Sequence, residues 1–173
     1  LAGGGVARRR YFDSAASSLM LQPAWETAEA FLEHYGNTHS LLHHGARVAT
    51  RAYGWTHERA LALVGADPAM HACVFAGSGS TACLNRIARA LAALRPERDT
   101  VLVSGMEHHS NDLPHRKHAG RFEHIPMVGA APALGALDLE VLAAKLESNR
   151  GRVNYVAITG ASNVTGIINP LKA

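Results

Sequence analysis

Short β-prone runs alternate with helical patterns along the second half of the chain, and this alternation restricts the fold more than any other feature. Four runs are rich in β-branched and apolar residues: CVF at 73–75, TVLVS at 100–104, EHIPMV at 123–128 and VNYVAIT at 153–159. Apolar residues at helical spacing mark two helix faces, one at Leu84, Ile87, Leu91 and Leu94 and one at Leu139, Leu142 and Leu146. This order predicts an α/β fold, with a mostly parallel sheet flanked by helices.

Two helices are predicted before this alternating region. The first begins at Pro23, whose ring suits the first turn of a helix, and ends at Gly36. The second runs over 47–64 and ends at Gly65, although Gly54 weakens its middle. Both are interpreted as packing elements that precede the main sheet.

The composition is that of an ordinary globular protein. Of 173 residues, 47% are hydrophobic and 18% charged, and the net charge is +3. The basic run Arg8–Arg10 has no interleaved aromatic residues after it, which argues against a nucleic-acid partner.

No apolar run is long enough to span a bilayer, so we predict a soluble protein, either cytoplasmic or organellar (mitochondrion or plastid). The start at Leu1 is interpreted as incomplete rather than as the tail of a transit peptide.

The glycine-rich turn VFAGSGSTACLN, at 74–85, leads directly from a β-prone run into a helical pattern. Such a turn can bind an anion, because the first amides of a helix have no internal partner and the helix dipole is positive there. Gly77, Gly79 and Ala82 also satisfy the dinucleotide pattern G-x-G-x-x-A. That pattern requires an acidic residue at the end of the second strand, where the nearest acid is Glu107, beyond a glycine. A nucleotide-binding oxidoreductase is therefore disfavoured.

Three predicted strands are followed by polar turns that should converge at one edge of a parallel sheet. The turns are GSGSTACLN, SGMEHHSNDLP and TGASNVTGIINP. Together they offer helix-start amides with hydroxyls, a pair of imidazoles and a side-chain amide. This set suits a flat aromatic ring that carries a phosphate and a phenolic oxygen. Gly79, Ser80 and Thr81 would hold the phosphate, a histidine would stack on the ring, and Asn163 would bond the phenolic oxygen.

Five stretches resemble the class V aminotransferases, and within them the cysteine desulfurase and selenocysteine lyase group. They are YFDSAAS, YGNTHS, GSTACLN, MEHHSNDLP and SNVTGIINPL, in the family's order and at similar spacing. The resemblance implies the fold type I architecture of pyridoxal 5′-phosphate (PLP) enzymes: a large domain around a seven-stranded mixed sheet, then a small domain, in a homodimer. It predicts an N-terminal arm at 1–20 and the N-terminal part of the PLP-binding large domain at 21–173.

Carried over residue by residue, the resemblance makes Ser80 and Thr81 phosphate-binding residues and His108 the catalytic histidine that stacks on the cofactor ring. Asn163 of SNVTG would bond the ring oxygen. Two departures are the additional glycine in FAGSGST and Gly160, where relatives often have a histidine. Roles without a ligand stay open: Ser80 and Thr81 as helix caps, His108 as a polar turn residue and Asn163 as a turn former.

Two further histidines, His39 and His43 in NTHSLLHH, match the stretch that lines the substrate mouth in relatives, although solvated loop histidines fit equally well. The histidine-rich run HHSNDLPHRKH invites a metal interpretation. No Cys or carboxylate spacing completes a zinc site there, so no metal is predicted. Cys73 and Cys83 are interpreted as buried reduced thiols rather than as a disulfide or as sulfur acceptors.

The resemblance also implies residues that this chain does not match. The family forms a Schiff base on a lysine after Ser-x-His, whereas Lys117, Lys145 and Lys172 stand in other settings. The aspartate that holds the pyridine nitrogen and the sulfur-accepting cysteine are likewise unmatched. We therefore expect a truncated PLP-dependent enzyme that acts on a small amino acid such as L-cysteine, with this chain inactive alone. The alternative is a non-catalytic remnant that binds the PLP phosphate or a partner without turnover.

Overall fold

The computed structural model describes residues 8, 10–14 and 16–172, so that part of the predicted arm at 1–20 and Arg9 of the basic run lie outside the described residues. The chain forms two compact units, Leu1–Val74 and Phe75–Ala173. In the part of the chain that the structure describes, no helix combines the length and the apolar character needed to cross a membrane.

The first unit contains the two predicted helices, α1 (Gln22–Leu32) and α2 (His44–Leu63). Helix α1 ends before Gly36, because this glycine has a different role: a Cβ atom there would lie 2.7 Å from the carbonyl carbon of Gly45. Helix α2 begins three residues before the predicted start, because the Nδ1 atom of His43 accepts a hydrogen bond from the Ala46 amide at 3.2 Å.

The second unit is built on a parallel sheet whose strands lie in the order β2-β1-β3. The strands are β1 (Thr100–Ser104), β2 (Arg121–Ile125) and β3 (Val153–Ala157). Strand β2 starts two residues before its predicted run and ends before Pro126, which has no amide hydrogen for the ladder. The α/β class, with a small parallel sheet flanked by helices, agrees with the prediction.

The predicted strand at 73–75 is wrong. The structure has no regular secondary structure over these residues, and Val74 and Phe75 are 71% and 56% exposed. A strand forms only where a neighbouring strand satisfies its backbone groups, and none of the described strands pairs with this run. The β-prone composition alone could not reveal that.

Three helices flank the sheet: α3 (Gly79–Leu94), α4 (His109–His118) and α5 (Leu139–Ser148). Helix α4 was not predicted, because its polar sequence HSNDLPHRKH has no apolar stripe and contains Pro114. The hydrophobic core of this unit consists of buried Leu102, Ile125 and Leu137, with partly buried residues packed against them. Since β1 and β3 are parallel neighbours, the loops after both strands lie at the same edge of the sheet.

Candidate functional site

The start of α3 is shaped by three successive residues with positive φ. Gly77 has φ +68°, Ser78 has φ +21° and Gly79 has φ +64°. Glycine adopts this region without strain, whereas a serine side chain rarely does. Ser78 is the N-cap residue, and it makes no side-chain capping hydrogen bond. The first amides of α3 therefore have no side-chain partner, which is the arrangement that accepts an anion.

The three residues predicted to bind the phosphate, Gly79, Ser80 and Thr81, form the first turn of α3, and all are exposed. Because they are helical residues rather than the N-cap, the two hydroxyls do not occupy the usual capping position. Among the described residues, no hydrogen bond ties up the hydroxyl of either Ser80 or Thr81. The turn thus presents amides and hydroxyls together.

His108 lies where the loop after β1 enters α4, and it is the N-cap residue of that helix. Its Nδ1 atom accepts a hydrogen bond from the Ser110 amide at 3.1 Å and lies 2.8 Å from the Ser110 hydroxyl. This cap fixes the ring orientation and leaves Nε2 without a partner in the described chain. His108 is therefore a helix cap with an exposed ring.

A cleft of about 440 Å³ lies between α3 and α4, and it brings two predicted site residues together. Thr81 lines it from the first turn of α3, and His108 lines it from the start of α4. Asn85 also lines it, and its amide donates to the Thr81 carbonyl one turn earlier at 2.9 Å. Lys117, interpreted from the sequence only as part of a polar run, also lines the cleft.

Glu107, directly before His108, accepts three hydrogen bonds from three parts of the unit. The Ser104 hydroxyl at the end of β1 donates to Oε1 at 2.5 Å, and the Thr159 amide in the loop after β3 donates to the same oxygen. The Asn111 side chain in α4 donates to Oε2 at 2.8 Å. One carboxylate therefore joins both strand ends to the helix that carries His108.

The same network continues into the interior. Asn111 Oδ1 lies 3.0 Å from His115 Nε2, and the Tyr155 hydroxyl lies 2.9 Å from His115 Nδ1. His115 is only 2% exposed, and this burial lowers the pKa of its ring, while Glu107 and Asp112 act in the opposite direction. Burial likewise raises the pKa of Tyr155. Burial therefore favours the neutral form of both groups at the interior end of the network.

The remaining predicted site residues do not line this cleft, and Gly79 and Ser80 of the first turn of α3 are among them. Asn163 is exposed in the loop after β3 and is not among the residues that line the cleft. In that loop, the Ser162 hydroxyl accepts from the Thr165 amide at 3.2 Å. His39 and His43 belong to the first unit, where His39 makes an edge contact with Tyr53 and His43 caps α2. Their substrate role stays a prediction.

The lysines, the cysteines and the histidine-rich run can also be compared with their predicted settings. Lys145 is paired with Glu123 at 2.6 Å. Cys73 and Cys83 are free, as expected, but both are half-buried rather than buried. Over residues 8, 10–14 and 16–172, no three His, Cys, Asp or Glu side chains form a group that could hold a metal ion.

The family model and the relatives that match this chain agree with one another. The family model Aminotransferase class-V matches residues 10–173. A probable cysteine desulfurase of Xylella fastidiosa strain Temecula1 is 33% identical over 163 residues, which cover 93% of this chain and 38% of the relative. A cysteine desulfurase of Pectobacterium carotovorum subsp. carotovorum is 31% identical over 166 residues, 94% of this chain and 39% of the relative.

A solved structure agrees with these relatives. The apo structure of a cysteine desulfurase from Thermococcus onnurineus NA1 matches with a TM-score of 0.75 and 25% identity, over 93% of this chain and 39% of that one. The chain thus spans about two fifths of the length of the relatives it matches.

Proposed function

Because the chain belongs to the class V aminotransferase family, we propose that it is the N-terminal part of a PLP-dependent enzyme resembling cysteine desulfurases. The substrate we propose is a small amino acid such as L-cysteine. The single observation that supports this most is the shared cleft of about 440 Å³, which Thr81 of the first turn of α3 and His108 both line.

The donor set fits PLP. The uncapped amides of Gly79, Ser80 and Thr81, with two hydroxyls, suit a dianionic phosphate at the positive end of α3. The flat ring of His108 suits a stacked pyridine, and Asn163 is the proposed donor to the ring oxygen. When bound, PLP supplies an electron-withdrawing ring that stabilises negative charge on the substrate α-carbon.

His108 would contribute through its fixed orientation. Its Nδ1 atom is occupied by the Ser110 amide, so the proton of the neutral ring lies on Nε2. A ring held by a helix cap loses less rotational freedom when a ligand stacks on it, and this preorganisation favours binding. Glu107 holds the loop that carries His108 against both strand ends, so it would act as a positioning residue.

We further propose that the isolated chain has no turnover. The resemblance assigns the Schiff-base lysine and the sulfur-accepting cysteine to motifs that these 173 residues do not match. Lys145 is engaged by Glu123, and Lys117 lines the cleft without the expected motif. A non-catalytic chain that binds the PLP phosphate without turnover is the alternative. A Ser-x-His-Lys motif in the coding sequence after Ala173 would favour the enzyme.

The binding part of the proposal is tested by calorimetric titration with pyridoxine 5′-phosphate, which lacks the aldehyde and so does not react with surface lysines. We expect Ser80→Ala/Thr81→Val and His108→Ala each to weaken binding by about tenfold or more, about 1.4 kcal/mol. His109→Ala is the matched control, because His109 lines the same cleft without a proposed role. Equal affinity in all variants would contradict the proposed site.

A homodimer is proposed for the full-length protein. In the first unit, an open apolar cleft of about 710 Å³ lies between α1 and α2 and includes Phe31, Tyr35 and Trp55. The side chains of Trp25 and Trp55 are more than half exposed. Exposed apolar surface of this kind is typical of protein contacts. Light scattering of the full-length protein tests this: a dimer mass supports the proposal and a monomer mass contradicts it.

A further inference from the structure

A second cleft, of about 300 Å³, lies along α3 and the end of α4, and we call it the basic cleft. It is lined by Asn85, Arg86 and Arg89 of α3 and by Lys117 and His118 of α4. Its lining contains three permanently charged cations and no carboxylate. Asn85 and Lys117 also line the cleft that holds Thr81 and His108, so the two clefts are neighbours.

The charges in the basic cleft are uncompensated. Among the described residues, Arg86, Arg89 and Lys117 take part in none of the ion pairs. Their neighbour Arg116, in contrast, pairs with Asp112 at 2.6 Å and lies over the ring of Phe122. The charge of Arg116 is thus balanced by a carboxylate, whereas the three cations of the basic cleft have no such partner.

Helix geometry alone does not account for the cluster. Cations stabilise a helix when they lie in its last turn, which applies to Lys117 and His118 in α4. Arg86 and Arg89 lie in the middle of α3, whose last turn has no basic residue. They are three residues apart and so project from the same face, where like charges repel each other. An anion between them would remove that cost.

We propose that the basic cleft binds a small polyanion of the phosphate class, separately from the first turn of α3. Guanidinium groups donate paired hydrogen bonds to phosphate oxygens, and the Asn85 amide and Lys117 ammonium add further donors. The volume suits one or two phosphate groups rather than a polymer. No Phe, Tyr or Trp side chain lines the cleft, whereas single-stranded nucleic acid sites use stacking on such rings. This inference does not depend on the proposed enzyme activity.

The test is calorimetric titration of the whole chain with inorganic pyrophosphate in about 0.1 M NaCl, where charges are screened beyond about 10 Å. The test variant is Arg86→Gln/Arg89→Gln. A matched control, Arg51→Gln/Arg150→Gln, removes the same charge from exposed positions outside the cleft. A third variant, Ser80→Ala/Thr81→Val, reports binding at the start of α3. Circular dichroism checks that all of them fold alike.

We expect the test variant to bind pyrophosphate at least about tenfold more weakly and the control within about twofold of the parent chain. The third variant should be weakened less than the test variant, because it keeps the basic cleft. Three outcomes would overturn the proposal: equal loss in the test and control variants, loss only in the third variant, or no binding by the parent chain. Binding of a polyglutamate peptide without pyrophosphate would also overturn it, in favour of an acidic protein partner.

Discussion

Glu107 is a single side chain whose partners come from two strand ends and one helix. Replacing it by glutamine puts an NH2 group or a neutral oxygen against the Thr159 amide and the Ser104 hydroxyl. Hydrogen bonds to a charged acceptor are worth about 1.5–3 kcal/mol, so we expect Glu107→Gln to lower the free energy of unfolding by about 2–3 kcal/mol. Urea unfolding followed by circular dichroism measures this.

Glu97→Gln is the control for that substitution, since Glu97 is exposed and takes part in none of the described ion pairs. Its effect should stay within about 0.5 kcal/mol. Equal stability of the two variants would show that the carboxylate does not hold the loop. The amide resonance of Thr159 should also move in Glu107→Gln and remain in place in Glu97→Gln.

His115 predicts a pH dependence. Its pKa is lowered by burial in the folded chain, so the unfolded chain binds the proton more tightly. Stability is therefore fully present above the ordinary histidine pKa of about 6.5 and is lost as the pH falls from there towards the lowered value. We expect the loss to be smaller in His115→Gln, measured by urea unfolding at a series of pH values.

Asp112 also contributes to the pH dependence of stability. Its contribution can be separated from that of His115 because a carboxylate titrates at lower pH than an imidazole. Burial opposes ionisation of Asp112, yet hydrogen bonds from Arg116 and His124 keep its pKa below the usual value. Its contribution is present above the ordinary aspartate pKa of about 3.9 and disappears only in more acidic solution. A slope just below pH 6.5 that is unchanged in His115→Gln would contradict the assignment to His115.

At the scale of elements, local signals located most of the structure. Pro23 marked the start of α1, and periodic leucines marked α3 and α5. Helix α4 has no such signal, because it packs through Asp112, Pro114 and His115 rather than through a stripe of aliphatic residues. The strand predicted at 73–75 is wrong for the opposite reason: the run has strand propensity, but propensity does not supply a partner strand.

The N-terminal cap of α5 allows a direct test of how much one helix end contributes to stability. Asp138 Oδ1 accepts a hydrogen bond from the Val141 amide at 3.0 Å at the N-terminus of α5. Asp138→Ala should cost about 1 kcal/mol of unfolding free energy, because that amide loses its partner. Asp138→Asn keeps the acceptor and should cost much less. If both variants lose the same stability in urea, the cap does not carry the effect.

The candidate site could be predicted only in part. Gly79, Ser80, Thr81 and His108 could be proposed because helix-start chemistry and the MEHHSN motif are local in sequence, and their roles stay predictions. The hydrogen bonds of Glu107 were not, since its partner Thr159 is distant in the chain and only the parallel pairing of β1 and β3 brings them together. The basic cleft depends in the same way on how α3 packs against α4.

At the scale of the whole molecule, the chain belongs to the class V aminotransferase family and spans about two fifths of the length of its relatives. Its second unit has a sheet of three strands, whereas the resemblance implies a seven-stranded sheet in the family. The proposed cofactor cleft lies entirely within that unit, between α3 and α4. Cofactor binding is therefore open to measurement on this chain, independently of turnover.

The most direct measurement is a titration of the isotope-labelled chain with pyridoxine 5′-phosphate, followed by amide and imidazole resonances. The account predicts that the amides of Gly79, Ser80 and Thr81 and the ring of His108 shift together and saturate with one dissociation constant. Shifts confined to Arg86, Arg89 and Lys117, or different dissociation constants for the α3 amides and the His108 ring, would contradict a single cofactor site.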